Sequence, residues 1–175
     1  LRLKIQNKGN GDNYSEDLYF YDGFGNIVQV KSLFTNTTQI VKNYFYDSKY
    51  RIDEEQNPYF GAYSTSLSNS TSGLKIKYQY DSLDRVTNLT KQDNSSIIVV
   101  FNKTLITQFD EKKNRTDYII DTYDRITKVS EYNGATTYNT TYNYRADNLL
   151  INITDALNNK FIFTYDSLGR KIRFD

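Results

Sequence analysis

The sequence predicts an all-β protein: repeated antiparallel β-hairpins forming one continuous spiralling or solenoid-like sheet. Two observations carry this. A frame built on a Tyr-Asp step recurs six times along the chain. Apolar and polar residues alternate around each step, turn residues punctuate the intervals, and no segment sustains a helical period. The frame is clearest at Phe163-Thr164-Tyr165-Asp166-Ser167-Leu168-Gly169-Arg170 and Tyr78-Gln79-Tyr80-Asp81-Ser82-Leu83-Asp84-Arg85. It returns with substitutions at 19–26, 44–51, 118–125 and 142–149.

Aligned on the step, the Asp column reads Asp22, Asp47, Asp81, Asp121, Arg145 and Asp166. Three residues before it stand Tyr19, Tyr44, Tyr78, Tyr118, Tyr142 and Phe163, and one before it Tyr21, Tyr46, Tyr80, Ile120, Tyr144 and Tyr165. These two columns lie two residues apart, so a strand points both to one face. Seven residues after the Asp every copy is polar, and eight after it five of six are apolar (Val30, Leu89, Val129, Ile153 and Phe174, with Glu55 the exception). The returning strand is therefore expected to have a wet face and a covered one.

In chain order, Leu1 to Ile5 alternates like a strand with one covered face, and Asn7 to Asn13 carries turn chemistry. A strand into Tyr21, a turn at 22–25 and a strand through Val30 follow, and the pattern restarts. Successive Asp-column positions are 25, 34, 40, 24 and 21 residues apart. The interval of 34 holds an insertion over 57–73 with the only Pro, Pro58, and a Ser/Thr run, read as a solvated excursion. The interval of 40 contains a degenerate copy at Ile97 to Asn102, whose apolar run predicts a strand covered on both faces. Asp110 to Asn114 and Asp155 to Asn159 repeat the turn spacing, and Asn133-Gly134 is a hairpin signal. Residues 1–175 thus read as one array of six to seven units, expected to be a segment of a longer protein or a repeating assembly.

The turn columns have a structural explanation. An Asp opening a turn can accept backbone N–H groups one or two residues on. Three residues after it come Gly25, Tyr50, Asp84, Asp124, Asn148 and Gly169, and all but Tyr50 are types that tolerate a left-handed backbone. A type I turn followed by a left-handed bulge residue fits this spacing, with strain or a different turn expected at Tyr50. Arg51, Arg85, Arg125 and Arg170 follow the Asp by four residues and are placed to pair with a carboxylate or lie on a Tyr ring. Catalytic residues are rarely repeated six times along one chain.

Composition bounds the chemistry. The chain has no Cys, His, Met or Trp, is 15% aromatic, and balances 22 Lys plus Arg against 21 Asp plus Glu. Disulfides, thiol chemistry and imidazole catalysis are excluded, and no field of one sign draws nucleic acid or an anionic membrane. No apolar run is long enough to span a bilayer as a helix. Adjacent carboxylates such as Asp53-Glu54 or Asp110-Glu111 face opposite ways on a strand, so neither is a glycosidase pair. A calcium site at Asn10, Asp12 and Asp17 is a weak candidate. No catalytic, cofactor or metal residue is assigned.

Tyr-x-Tyr-Asp-x-Leu-Gly-Arg, as it stands at 163–170, resembles the YD-repeat of the Rhs family: bacterial Rhs and wall-associated toxins, insecticidal toxin complex C components, and teneurins. The resemblance covers about 18–175 and is weakest at the copy with Arg145 and Leu149. It implies a spiralling β-sheet that closes, in longer members, as a shell enclosing a toxic C-terminal polypeptide or supporting cell-surface adhesion. Six or seven repeats are too few to close such a shell. The Asp-Pro core segment of the toxins is also absent from this stretch, since Pro58 follows Asn57.

Asn-x-Ser/Thr sequons occur at Asn13, Asn36, Asn69, Asn88, Asn94, Asn102, Asn114, Asn139 and Asn152. Asn88 and Asn152 share the always-polar column, where a glycan would stand clear of the sheet. The expectation is an extracellular or cell-surface glycoprotein, which mass spectrometry of the native Asn88 and Asn152 peptides decides. The leading functional expectation is a non-catalytic extracellular scaffold, whose partners are other copies of itself or further repeats. The alternatives are part of a shell around an encapsulated toxin domain, and an adhesion module that binds cell-surface glycans through Tyr faces.

Overall fold

Every regular element among the described residues is a β-strand, as the period-two columns require. The computed structural model describes residues 1–8, 14–68 and 73–174. They divide into two units, Leu1–Ser95 and Ser96–Asp175. The first holds β1 (Arg2–Lys8), β2 (Tyr14–Tyr21), β3 (Ile27–Leu33), β4 (Thr38–Tyr46), β5 (Ile52–Gln56), β6 (Tyr59–Ala62), β7 (Lys75–Tyr80) and β8 (Val86–Thr90). Its antiparallel order is β1-β2-β3-β4-β5-β7-β8, with β6 paired to β4. The second holds β9 (Ser96–Asn102), β10 (Leu105–Phe109), β11 (Arg115–Ile120), β12 (Ile126–Asn133), β13 (Thr136–Tyr144), β14 (Leu150–Thr154), β15 (Lys160–Tyr165) and β16 (Lys171–Phe174). These pair antiparallel in chain order.

Each hairpin keeps one register. The residue three before the Asp pairs with the one eight after it: Tyr19 with Val30, Tyr44 with Glu55, Tyr78 with Leu89, Tyr118 with Val129, Tyr142 with Ile153, Phe163 with Phe174. Just inside that pair the register shifts in all six copies, between Phe20 and Tyr21 in the first and Thr164 and Tyr165 in the last. Tyr21 opposes Ile27 while Phe20 opposes Gln29, so Val28 is an extra residue. This β-bulge restores the phase that puts the Tyr columns and the apolar column on one face.

Burial departs from the expected wet and covered faces. Both Tyr columns are half-buried throughout, as befits a face sheltered only by its own neighbours. Leu1, Leu3 and Ile5 are exposed, because they lie on an edge strand or beside it and none of the described residues covers them. Nor is β9 covered on both faces: Ile98 and Val100 are exposed, alternating with half-buried Ile97, Val99 and Phe101. Of the always-polar column, Gln29 is only 1% exposed.

The insertion explains Gln29. Among the described residues of the insertion, 57–68 are not a solvated excursion. Asn57 donates its N–H to Leu74 O, and β6 then continues along β4 where β5 leaves off. Residues 63–68 fold back as a strap over the face opposite the Tyr columns, on which Leu18, Phe20 and Val41 are buried. The strap is held mainly by polar contacts. Lys31 Nζ donates to Ser66 O at 2.7 Å and Ser64 O at 3.4 Å. The Gln29 amide donates to Ser68 O and accepts from Ser68 N at 2.9 and 3.1 Å. Arg2 reaches Thr65 O, and Tyr63 O–H donates to Glu16. Burial lowers the Lys31 pKa, and the strap carbonyls take the place of water around its ammonium.

The remaining turns follow the sequence with two adjustments. The Asn133-Gly134 signal makes a two-residue hairpin, but Asn133 closes it opposite Thr136 and the loop is Gly134-Ala135. Gly134 has φ +59°, as the first central residue of a type II′ turn requires. Asn7 and Lys8 belong to β1, and residues 9–13 lie outside the described set.

Asn158 sits at φ +65° in the turn opened by Asp155. Asn158→Ala is expected to cost about 1 kcal/mol and Asn158→Gly almost nothing, because Ala keeps the Cβ that crowds the following carbonyl but lacks the short polar side chain with which Asn offsets it, while Gly has no Cβ. Urea unfolding of the two variants checks the difference.

Candidate functional site: a ladder of linked turns

The repeated chemistry is concentrated at the Tyr-Asp turns. In each copy the Asp-column N–H donates to the carbonyl four residues on, as Asp121 does to Arg125 O at 2.9 Å. The N–H three residues on returns to the Asp carbonyl, as from Asp124 at 3.1 Å. The carboxylate accepts from N–H groups two and four residues on, rather than one or two. At Asp121 these are Tyr123 N (2.8 Å) and Arg125 N (3.1 Å). Its second oxygen takes the side chain four residues on: Arg51, Arg85, Arg125 and Arg170 through Nε at 2.8, 2.8, 2.7 and 2.6 Å. Asn26 does the same for Asp22, and Asn114 and Asn159 for Asp110 and Asp155.

The third residue of the turn is left-handed in every copy. Gly25, Asp84, Asp124, Asn148 and Gly169 all have positive φ. Tyr50 adopts the same turn at φ +61° rather than a different one, and its ring packs on Phe24 at 4.6 Å. The copy lacking the Asp keeps the turn through backbone bonds, while Arg145 turns to pair with Asp147.

A second set of bonds joins one turn to the next. The Tyr just before the Asp donates its phenol to the carbonyl five residues after the preceding Asp-column position: Tyr46 to Ile27, Tyr80 to Ile52, Tyr144 to Ile126, Tyr165 to Leu150, at 2.7–2.9 Å. The preceding Arg covers that ring, with Arg51 4.5 Å from the Tyr80 centroid and Arg125 4.8 Å from Tyr144. Its outer nitrogen then reaches the left-handed residue of the next turn: Arg51 NH1 to Asp84 at 2.5 Å, Arg125 NH1 to Asn148 at 2.9 Å. One guanidinium thus binds its own carboxylate, a neighbouring ring and a neighbouring turn. The columns showed which residues repeat, but pairing between copies requires knowing that successive turns share a sheet edge.

The carboxyls of the clamps lie below the usual range. The side chains of Asn26, Asn114, Arg125 and Asn159 contribute most at Asp22, Asp110, Asp121 and Asp155. The backbone N–H of Arg51 and of Arg170 contributes most at Asp47 and Asp166. At Asp81 desolvation works upward and the Arg85 and backbone bonds outweigh it.

Away from the turns, Asp117 is buried between β10 and β12, taking Arg115 on both oxygens, Thr107 at 2.8 Å and Tyr132 at 3.0 Å. Desolvation opposes its ionisation and these donors prevail. Glu54 pairs with Lys75 and Lys77 while Asp53 is exposed on the other side. Among the described residues no group of three or more acidic side chains gathers as a metal site, and no helix is long and apolar enough to cross a membrane. Asn10 and Asp12 fall outside the described residues.

Of the sequons, Asn36, Asn94, Asn102 and Asn114 are exposed. Asn88, Asn139 and Asn152 are half-buried and bonded across strands to Gln79, Ser130 and Asn143. Asn13 and Asn69 lie outside the described residues.

No family model matches this sequence, and no curated protein does. The fold does have counterparts among solved structures of Tc toxin components. The chain is similar to a crystal structure of TcdB2-TccC3-Cdc42, with a TM-score of 0.79 at 16% identity, over 99% of this chain and 11% of that one. It is also similar to a Photorhabdus luminescens Tc holotoxin pore with a mutated TccC3 (TM-score 0.72, 15% identity, 98% of this chain, 12% of that one). A third is TcdB2-TccC3 without its hypervariable C-terminal region (0.68, 15%, 92% and 11%). At these identities the likeness is one of fold, and this chain spans about a tenth of the length of the chains it matches.

The lowered carboxyl pKa values fix a sign. A group whose folded pKa is depressed contributes stability that is complete above its unfolded value, about 3.9 for Asp, and is lost as pH falls through the folded one. The urea midpoint is expected to hold from about pH 7 to 5 and fall steeply below about pH 4. A midpoint flat into that acid range would contradict the clamp.

Proposed function

We propose that this chain is a wall segment of a YD-repeat shell that encloses a polypeptide, and that it acts by enclosure rather than by catalysis. The observation that carries the reading is the fold likeness to TcdB2-TccC3 over 99% of the chain. The construction supports it. A single-layer sheet has little core of its own, so a wall made of it relies on bonds that run along the strip, and the turn ladder supplies them. The strap adds a second layer to part of the wall in the first unit.

This reading displaces the free surface scaffold favoured by the sequence, since the matched structures belong to toxin complexes. It requires further repeats beyond these residues to close the wall.

The full-length product that contains these residues tests the proposal. Under limited proteolysis its C-terminal polypeptide is expected to survive while the fold is intact and to be degraded once the protein is denatured. A C-terminal polypeptide cut equally fast before and after denaturation overturns enclosure.

A further inference from the structure

A wall that acts by enclosure gives the surplus of sequons no role. Independent placement of 19 Asn and 31 Ser plus Thr along the chain gives about three or four Asn-x-Ser/Thr triplets. The chain has nine. Copying of the repeat does not supply the difference. Only Asn88 and Asn152 share a frame position, seven after the Asp column. Asn36, Asn69, Asn94, Asn102 and Asn139 stand 14, 22, 13, 21 and 18 residues after the preceding member of that column.

The structure sorts these positions by what the Asn side chain already does. An N-linked glycan replaces one amide N–H with a bulky hydrated sugar, which needs open solvent around it. Asn88, Asn139 and Asn152 lie within β8, β13 and β14, half-buried and bonded across the strands. Asn114 is exposed, but its Nδ2 closes the Asp110 clamp at 2.7 Å. Three sequons are different. Asn36, Asn94 and Asn102 are exposed and make no side-chain bond to a described residue. Each also sits where a hairpin turns, the setting an N-glycan acceptor requires. Asn36 lies in the turn between β3 and β4. Asn94, at φ +64°, lies in the turn that Lys91 N closes on Ser95 O, and Asn102 ends β9 opposite Leu105. Turns rather than the always-polar column are therefore where this fold has room for a sugar.

We propose that Asn36, Asn94 and Asn102 are N-glycan attachment sites, and that the donor is an oligosaccharide held through C1 on a lipid phosphate. Nδ2 forms the new bond to C1 and gives up one proton. The bond from C1 to the phosphate oxygen breaks, and the lipid phosphate leaves with the electron pair. The hydroxyls that complete the three sequons are those of Thr38, Ser96 and Thr104. Such donors are lipid-borne, so the chain meets its donor at a membrane on an export route. This goes beyond the enclosure reading and does not depend on it.

Glycopeptide mass spectrometry of the full-length protein from its native source reads occupancy site by site. The expected result is a glycan on Asn36, Asn94 and Asn102 in most copies, with occupancy several-fold lower at Asn88, Asn139 and Asn152. In the same host, Thr38→Ala is expected to remove the glycan from Asn36 alone, and Thr38→Ser to retain it, because only the hydroxyl completes the sequon. A glycan on none of the three turn sites overturns the proposal. So does equal occupancy of the strand sites, or a sugar on Asn36 that survives Thr38→Ala. Each of these failures leaves enclosure standing, because enclosure is read from protection of the C-terminal polypeptide and not from the sugars.

Discussion

The structure depends on one carboxylate doing three things at once. Each turn Asp holds the N–H groups two and four residues on with one oxygen and the side chain four residues on with the other. At Asp47 the partners are Lys49 N, Arg51 N and Arg51 Nε. Those bonds reinforce a turn whose third residue is left-handed and start the returning strand at a fixed point. The bulge then follows, and with it the phase that puts Tyr44 opposite Glu55 and Tyr142 opposite Ile153. A turn closed one residue earlier or later would put the returning strand's apolar column on the face opposite the Tyr columns.

A sheet with one layer cannot depend on burial as a sandwich does. Only Leu18, Phe20 and Val41 are buried apolar side chains among the described residues, all in the first unit. Bonds between neighbouring hairpins therefore carry more of the cohesion, as in other repeat architectures where each unit is stabilised by the next. The Arg of one turn and the Tyr of the next form that joint. Its members are half-exposed, where a single cation–π contact is worth about 0.5–1 kcal/mol, so cohesion comes from repetition.

The columns made the fold and the turn chemistry legible, because both follow from local spacing. The Asp, the left-handed residue and the paired Arg all fall within five positions. What stayed hidden depends on residues distant in sequence. The strap read as a loop because its Ser-rich composition is that of solvated chain, although its carbonyls hold Lys31. Asp117 gave no signal because its donors come from three strands. The run at 97–101 read as doubly covered because a continuous apolar run marks a strand buried on both faces, and here Ile98 and Val100 are exposed among the described residues. Tyr50 shows the opposite case: a poor residue for its φ is accepted because the turn requires it and the Phe24 ring packs against it.

The claim that the Arg of one turn stabilises the next is tested most directly by a double-mutant cycle on Arg125→Met and Tyr144→Leu, measured by urea unfolding. The ladder predicts a coupling of about 0.5–1 kcal/mol, the double variant losing less than the sum of the two singles. Additive losses would contradict it, and would mean that each turn stands alone on its own carboxylate.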